Sequence, residues 1–349
     1  MDHVGREGCN AGAARPLVHT FSMTDEILVP PVPPETKTDV LGHPWQAETI
    51  ALPPDAEGEV VATLVSRHAA APTERAVLHV HGFADYFFQT EYGEWWLERD
   101  HDMYALDLRK YGRSIRDHQT PTYVADLEEY FAELDLAWQR ITERDGHTQV
   151  VLSGHSTGGL VIALWADARQ PAELAGVVLN SPWLDLQGKA WLRTLPANAV
   201  LDRVGRLQPF RVFPREVSGV YGMTLHRDHA GEWDFDLAWK PLESFPVRFG
   251  WLRAIRAGHA RVQAGLDIRC PVLVLSSDRT TFTTALDERA HTTDIVLDVK
   301  QIRRWAGSLG SRVTSIAVPG AVHDVVLSRP QARERAYAEI ERWLTSYVL

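Results

Sequence analysis

The stretch TQVVLSGHSTGGLVIALW, residues 148–165, places a serine between two glycines, directly after one short apolar run and directly before a longer one. The first run is β-branched and typical of a buried strand, and the second is typical of a buried helix. Ser156 therefore lies at a predicted strand-to-helix turn, where side chains larger than Gly154 and Gly158 would collide with the neighbouring strand or block the bend. This pattern is the G-x-S-x-G nucleophile elbow, in which a strained turn presents a serine hydroxyl.

Length and composition limit the classes of function. The 349 residues are 45% hydrophobic, enough for one large α/β domain with an insertion or for two modest domains. The formal net charge of -10 argues against nucleic-acid binding, which needs concentrated Lys and Arg. The two cysteines, Cys9 and Cys270, do not suggest a disulfide framework. No window is apolar enough for a membrane span or a signal peptide, so we expect a soluble, cytoplasmic protein without stable membrane insertion.

The order of elements predicts the domain organisation. Residues 1–45 end in a proline-rich segment and are predicted to form a loosely ordered arm, in which Met23 is an alternative start. Strands predicted at 58–67 and 74–82 and near 107 precede an amphipathic helix over 123–144, and strands and helices alternate again after the elbow. This alternation predicts an α/β fold with a mostly parallel central sheet and helices on both faces.

One interval, residues 183–266, breaks the alternation and is rich in aromatic and charged residues. We expect it to form an inserted cap, or lid, on a core made of residues 46–182 and 267–349. Its aromatic side chains either form the small core of the cap or face a ligand.

A serine nucleophile needs a base, and the base needs a carboxylate that fixes its tautomer. His323 is the predicted base, because it follows a late strand through a Pro-Gly turn and precedes the final helix. The acid has three candidates: Asp278 directly after a strand, Asp294 sixteen residues later, and Asp185 after the preceding strand. Position alone favours Asp278, although an insertion that folds outward could return Asp294 to the same strand end.

The oxyanion of the reaction needs backbone donors. The N–H of Thr157, directly after the serine, is one predicted donor. The N–H of Phe83 is the other, because the segment 81-HGFADYF-87 turns directly after a buried strand.

The segments HGFADYF, YALDLRKYGRS, GHSTGG, LNSPW, PVLVLSSD and GAVHD occur in this order over residues 45–349. Their combination resembles the α/β-hydrolase fold, and within it the lysophospholipases, monoacylglycerol lipases and related serine hydrolases. The resemblance implies a cap after the strand that ends at Asn180, and it implies that the acid is Asp294, because 294-DIVLD-298 is similar to the family's acid segment. The chain departs from the family in an insertion at 279–293 and in Ala84, which stands where a glycine is usual and predicts a narrower pocket entrance.

These features predict a serine hydrolase that cleaves a small-molecule carboxylic ester through an acyl-enzyme, with Ser156, His323 and Asp294 as the triad and no metal or organic cofactor. One alternative keeps the triad but acts on an amide or a peptide N-terminus, or transfers the acyl group. An aminopeptidase would need acidic cap residues for the substrate amine, for which the candidates are Glu232, Asp234 and Asp236. The other alternative is a non-catalytic binding protein of the same fold.

Overall fold

The computed structural model describes Met1 and residues 36–187, 195–215 and 217–349. The predicted N-terminal arm as far as residue 35, with Cys9 and Met23, lies outside these ranges. The first described strand, at Thr36–Thr38, and the buried side chain of Trp45 fall within the segment predicted as a loosely ordered arm.

The described residues form a nine-stranded sheet. Its strands are β1 (Thr36–Thr38), β2 (Gln46–Asp55), β3 (Gly58–Arg67), β4 (Arg75–Val80), β5 (Asp102–Asp107), β6 (Gln149–His155), β7 (Leu174–Asn180), β8 (Val272–Ser277) and β9 (Val313–Val318). The strand order is β1-β2-β3-β5-β4-β6-β7-β8-β9. From β5 to β9 every neighbouring pair is parallel, whereas β1, β2 and β3 extend the sheet with antiparallel pairs.

The α-helices of the described residues begin after β4, and they lie between the later strands and after β9. They are α1 (Thr90–Leu97), α2 (Phe131–Gln139), α3 (Thr157–Arg169), α4 (Leu195–Leu207), α5 (Val220–Leu225), α6 (Phe249–Ala264), α7 (Glu288–Thr292), α8 (Val299–Ala306) and α9 (Pro330–Tyr347). Short 3₁₀ turns lie at Gly112–Ser114, Leu127–Tyr130 and Val325–Leu327, and a π turn at Arg140–Arg144 follows α2.

Alternate side chains of the central strands enter two separate cores, one on each face of the sheet. Leu152 of β6 packs on the face covered by α2, α3, α6 and α8, whereas Val151 packs on the face covered by α1 and α9. Strands that are buried on both faces read as continuous apolar runs, as β4, β6 and β8 do. The predicted mostly parallel sheet with helices on both faces is confirmed.

The helix predicted over 123–144 is shorter than its apolar periodicity indicates. Asp126 accepts a hydrogen bond from the N–H of Glu128, and Glu129 accepts from the N–H of Asp126. These paired side chain–backbone bonds form a capping box, which fixes the helical start at Leu127. The apolar side chains of Tyr123 and Val124 still reach the core from the loop before the cap.

The strands whose carboxyl ends meet at the centre of the sheet are β4, β6 and β7. Val80 and Gly154 are register partners there, and Gly154 is also the partner of Leu179. Ligands of open α/β sheets bind beyond these carboxyl ends. The interval between β7 and β8 that was predicted as a cap contributes α4, α5 and α6, and its residues 188–194 and 216 lie outside the described ranges.

Candidate active site

Ser156 lies at the junction of β6 and α3 and has φ 52° and ψ -114°, which L-residues rarely adopt. Its N–H donates to the carbonyl of Asn180 (2.9 Å), and its own carbonyl accepts from the N–H of Trp183 (3.0 Å). The strained turn is therefore held in place by the end of β7 and the loop that follows it.

Two glycines leave room for this turn. A Cβ on Gly158 would lie 2.2 Å from the carbonyl oxygen of His81 and 2.5 Å from that of Val80, at the end of β4. A Cβ on Gly154 would lie 2.6 Å from a side-chain carbon of Ile162. As the sequence pattern predicts, α3 can begin this close to the sheet only without side chains at these positions.

His323 follows β9 and is buried. Its Nδ1 atom lies 2.9 Å from Oδ2 of Asp294, so the ring donates its Nδ1 proton to the carboxylate. Oδ1 of the fully buried Asp294 accepts two further hydrogen bonds, from the N–H groups of Val296 (2.8 Å) and Leu297 (2.7 Å). This arrangement leaves Nε2 of His323 as the ring nitrogen that can accept a proton.

The insertion at 279–293 loops away from β8 and returns beside its own start. The N–H of Asp294 donates to the carbonyl of Arg279 (3.1 Å), and the carbonyl of Asp294 accepts from the N–H of Thr281 (3.1 Å). This bridge brings Asp294 back next to the end of β8, although sixteen residues separate it from Asp278.

The other two acid candidates are placed elsewhere. Asp278 is partly exposed and accepts a hydrogen bond from the N–H of Gly320 (3.3 Å). Asp185 is buried in an ion pair with Arg256 (2.9 Å). Burial alone would raise the pKa of the Asp185 carboxyl, but the N–H of Leu186 and the guanidinium outweigh it and lower that pKa. Within the described ranges, neither carboxylate contacts His323.

The residues of the two predicted oxyanion donors, Phe83 and Thr157, lie in the same cavity lining as Ser156. Thr157 is the first residue of α3, so its N–H has no acceptor within the helix. Phe83 follows the end of β4, and no oxygen of the described residues accepts a hydrogen bond from its N–H. Both residues line the same cavity as Ser156 and His323. Ala84 after Phe83 has φ 50°, a left-handed conformation that favours the glycine usual at this position.

Sequence reasoning assigned no role in the site to Asn180, the last residue of β7. Its carbonyl holds the N–H of Ser156, while its side chain donates to Oδ1 of Asp324 (2.6 Å) and accepts from the N–H of Val325 (3.0 Å). Asn180 thus connects the elbow to the loop that carries His323. The two side-chain contacts span sequence separations of 144 and 145 positions. No local sequence pattern indicates contacts of this kind.

His155 lies beside the His323 ring, with ring centroids 4.7 Å apart. Burial lowers the pKa of His155, so this ring stays neutral near pH 7. A neutral neighbour adds no like-charge repulsion when His323 takes up a proton. Among the described residues no hydrogen bond joins Ser156 Oγ to His323, a contact that often tightens only in the complex with substrate.

A cavity of about 1090 Å³ opens at this point, with Ser156, Thr157 and His323 on its wall. Such a volume lies just above the usual range for small-molecule sites, which ends at about 1,000 Å³. Most of the other lining side chains are apolar, and many come from the interval between β7 and β8, among them Leu201, Phe213 and Leu252.

A buried ion pair also lines the cavity. Nζ of Lys240 lies 2.7 Å from Oδ1 of Asp85, and both residues are almost fully buried. Burial alone would raise the pKa of the Asp85 carboxyl, but the ammonium group outweighs it and lowers that pKa. The pair is therefore ionised and its two charges cancel.

The acidic residues proposed to hold a substrate amine lie away from this wall. Glu232 pairs with Arg333 (2.8 Å) and Asp234 with Arg227 (2.9 Å), and Asp236 accepts the N–H of Ala238 (2.7 Å). None of the three lines the cavity. Within the described ranges, no three His, Cys, Asp or Glu side chains are grouped so that they could hold a metal ion, and no helix is long and apolar enough to cross a membrane.

Comparison with known proteins supports the fold. The sequence model of a family described as "Serine aminopeptidase, S33" matches residues 71–330. A phospholipase of Bacillus subtilis, YtpA, is 30% identical over 114 residues, which are 32% of this chain and 42% of that protein, so the chain matches less than half of this relative's length.

Solved structures match over a larger part of the chain. A soluble variant of monoglyceride lipase from Saccharomyces cerevisiae superposes with a TM-score of 0.62 at 13% identity, covering 86% of this chain and 96% of the other. A monoacylglycerol lipase from Paleococcus ferrophilus gives 0.57 at 22% identity, covering 81% and 98%. These likenesses confirm the α/β-hydrolase fold.

Proposed function

Because the chain belongs to the serine aminopeptidase S33 family, a group of α/β-type hydrolases, we propose that it hydrolyses carboxylic esters through an acyl-enzyme formed on Ser156. The proposal rests on the observation that Ser156 and His323 line the same cavity. Ser156 lies on a strained elbow, and Nδ1 of His323 is hydrogen-bonded to the buried carboxylate of Asp294.

In the proposed reaction, Ser156 Oγ attacks the acyl carbon while Nε2 of His323 takes the hydroxyl proton. The imidazolium then gives this proton to the leaving alcohol, and a water molecule resolves the acyl-enzyme by the same route in reverse. Asp294 keeps the His323 ring in the required tautomer and stabilises its positive charge. The N–H groups of Phe83 and Thr157 bind the oxyanion, and each such donor contributes about 3 kcal/mol in comparable enzymes.

The cavity supports an ester with an apolar acyl part. Its apolar walls favour an alkyl chain, and its size accommodates a chain of medium length with the alcohol still attached. The similarity to a phospholipase, a monoglyceride lipase and a monoacylglycerol lipase supports an ester substrate. We further propose that the interval between β7 and β8 is the cap that roofs this cavity, since it supplies many of the lining side chains.

The amide and aminopeptidase alternative is not favoured. An amine-binding site needs an unpaired carboxylate near the nucleophile, and Glu232, Asp234 and Asp236 lie off the cavity wall. The one carboxylate on the described part of that wall, Asp85, is neutralised by Lys240.

A substrate panel on the purified protein tests the proposal. We expect hydrolysis of p-nitrophenyl esters with acyl chains of two to twelve carbons and no comparable release from aminoacyl p-nitroanilides. Faster turnover of the anilides would replace the ester assignment by the peptidase one. Failure to hydrolyse any ester while remaining folded would favour a binding protein.

A further inference from the structure

Arg215 is a cavity-lining cation that no carboxylate neutralises among the described residues. Its Nη2 atom lies 3.3 Å from the hydroxyl of Ser244, which is a neutral partner. Lys240, the other basic side chain on the described wall, is paired with Asp85. Since the charges of Lys240 and Asp85 cancel, Arg215 leaves the described part of the cavity wall with a net charge of about +1. The whole chain has a formal net charge of -10.

Arg215 lies close to Phe83, a residue of the proposed reacting centre. Its guanidinium carbon lies 5.7 Å from the ring centroid of Phe83, whose N–H is one of the proposed oxyanion donors. Ser218 and Ser244, which carry hydroxyl groups, also line this cavity. A guanidinium and hydroxyl groups are the donors that carboxylates and phosphates prefer.

The side chain of Arg215 is exposed where it lines the cavity, and its hydrogen-bond partner among the described residues is the neutral Ser244. The protein around the guanidinium still removes part of its water and so lowers its pKa. An arginine stays charged even so, and a bound anion would offset this loss of hydration.

We propose that Arg215 is a specificity residue that binds an anionic group of the substrate, so that the preferred esters carry a carboxylate or phosphate besides the scissile ester. This inference rests on the proposed ester hydrolysis and adds to it the charge class of the substrate. The anionic group belongs either to the far end of the acyl chain or to the leaving alcohol.

Two matched substrate pairs distinguish these sources. For the acyl side, mono-p-nitrophenyl glutarate is compared with its neutral methyl ester. For the alcohol side, 1-decanoylglycerol 3-phosphate is compared with 1-decanoylglycerol. We expect at least one anionic member to have a kcat/KM about tenfold higher than its neutral partner, mainly through a lower KM. The pair that shows the preference identifies the part of the substrate that carries the anion.

Arg215→Gln should remove this preference, while Arg211→Gln should keep it. Arg211 is a matched control, because it is likewise an exposed arginine of the same segment, but it contacts Gln208 and does not line the cavity. Equal kcat/KM values within both pairs, or a preference that survives Arg215→Gln, would overturn the proposal.

A binding measurement separates this subsite from catalysis. In Ser156→Ala, quenching of tryptophan fluorescence reports ligand binding through Trp183 and Trp251, which both line the cavity. Octyl phosphate should bind about tenfold more tightly than octanol, and Arg215→Gln should abolish the difference. Preferential phosphate binding without any ester hydrolysis by the wild type would refute the proposed function alone, whereas hydrolysis without anion preference would refute this inference alone.

Discussion

The His323 ring and the Asp294 carboxylate are joined by a hydrogen bond of 2.9 Å, although 29 residues separate them and a loop with its own short helix lies between Asp278 and Asp294. The carboxylate is fully buried and also holds two backbone N–H groups. The orientation of this carboxylate is therefore fixed before any substrate binds. An acid that sets the tautomer of a histidine has to be held in place in this way.

Asp294→Asn should lower kcat for p-nitrophenyl butyrate by several orders of magnitude, about 10⁴ in the best-studied triad of this kind, because an amide favours the wrong imidazole tautomer. Asp278→Asn is the matched control and should cost less than tenfold, since Asp278 binds the N–H of Gly320 instead. Steady-state kinetics on both variants checks this. A severe loss in the Asp278 variant with a mild loss in the Asp294 variant would reverse the assignment.

Asn180→Ala should lower kcat more than it raises KM. The substitution removes the side-chain bonds to Asp324 and Val325 that position the loop of His323, and it leaves the carbonyl that holds Ser156. The loss of this hydrogen-bond donor leaves the buried Asp324 carboxylate with one partner fewer, which should lower the free energy of unfolding by about 1–3 kcal/mol. Gln89→Ala, which removes a longer bond of 3.2 Å to the same carboxylate, should have the smaller effect. Kinetics and urea unfolding measure both, and equal kcat values for Asn180→Ala and wild type would show that the bridge has no role in turnover.

Much of this arrangement follows from sequence, and the exceptions share a cause. The elbow, the strand at 58–67 and the position of His323 depend on local patterns, and the structure reproduces the elbow and strand directly. The Asp294–His323 contact was indicated only by resemblance, because position along the chain favoured Asp278. It depends on an insertion that bridges its own ends, which no local period encodes. Asn180 likewise acquires its partners, and Arg215 its place in the cavity wall, only through the tertiary fold.

Leu201→Phe should shift the preferred acyl chain to shorter lengths. Leu201 lies on α4 and lines the cavity, so a larger side chain reduces the space for the alkyl chain. The longest accepted ester should lose about tenfold in kcat/KM, the magnitude expected for excess methylene groups in an apolar pocket. Leu207→Phe, on the same helix but 69% exposed, is the control and should leave the chain-length profile unchanged. An unchanged profile in the Leu201 variant would argue against this wall as the acyl site.

The protein should lose stability as the pH falls below about 6.5. Burial, with the nearby guanidinium of Arg256, lowers the pKa of His259 to about 3, and burial lowers that of His79 to about 4. Between these values and 6.5 the unfolded chain binds protons that the folded protein does not. The free energy of unfolding therefore decreases toward acid, by at most about 1.4 kcal/mol per pH unit for each histidine.

Urea unfolding at pH 7 and pH 5 checks this slope. His259→Gln should reduce the slope, because glutamine can still donate to the carbonyl of Trp183 but takes up no proton. His118→Gln, at an exposed histidine, is the control. If the free energy of unfolding of His259→Gln decreased between pH 7 and pH 5 as much as that of the wild type, His259 would not contribute to the pH dependence.

Serine catalysis itself is tested most directly by covalent labelling with a fluorophosphonate, read by intact mass and peptide mapping alongside ester hydrolysis. We predict that the wild type gains one phosphonyl group on Ser156 and loses its esterase activity in proportion. Ser156→Ala should neither be labelled nor hydrolyse the ester, while its circular dichroism stays that of the wild type. Labelling at another residue, or a folded Ser156→Ala protein that keeps more than a few per cent of the activity, would contradict the mechanism.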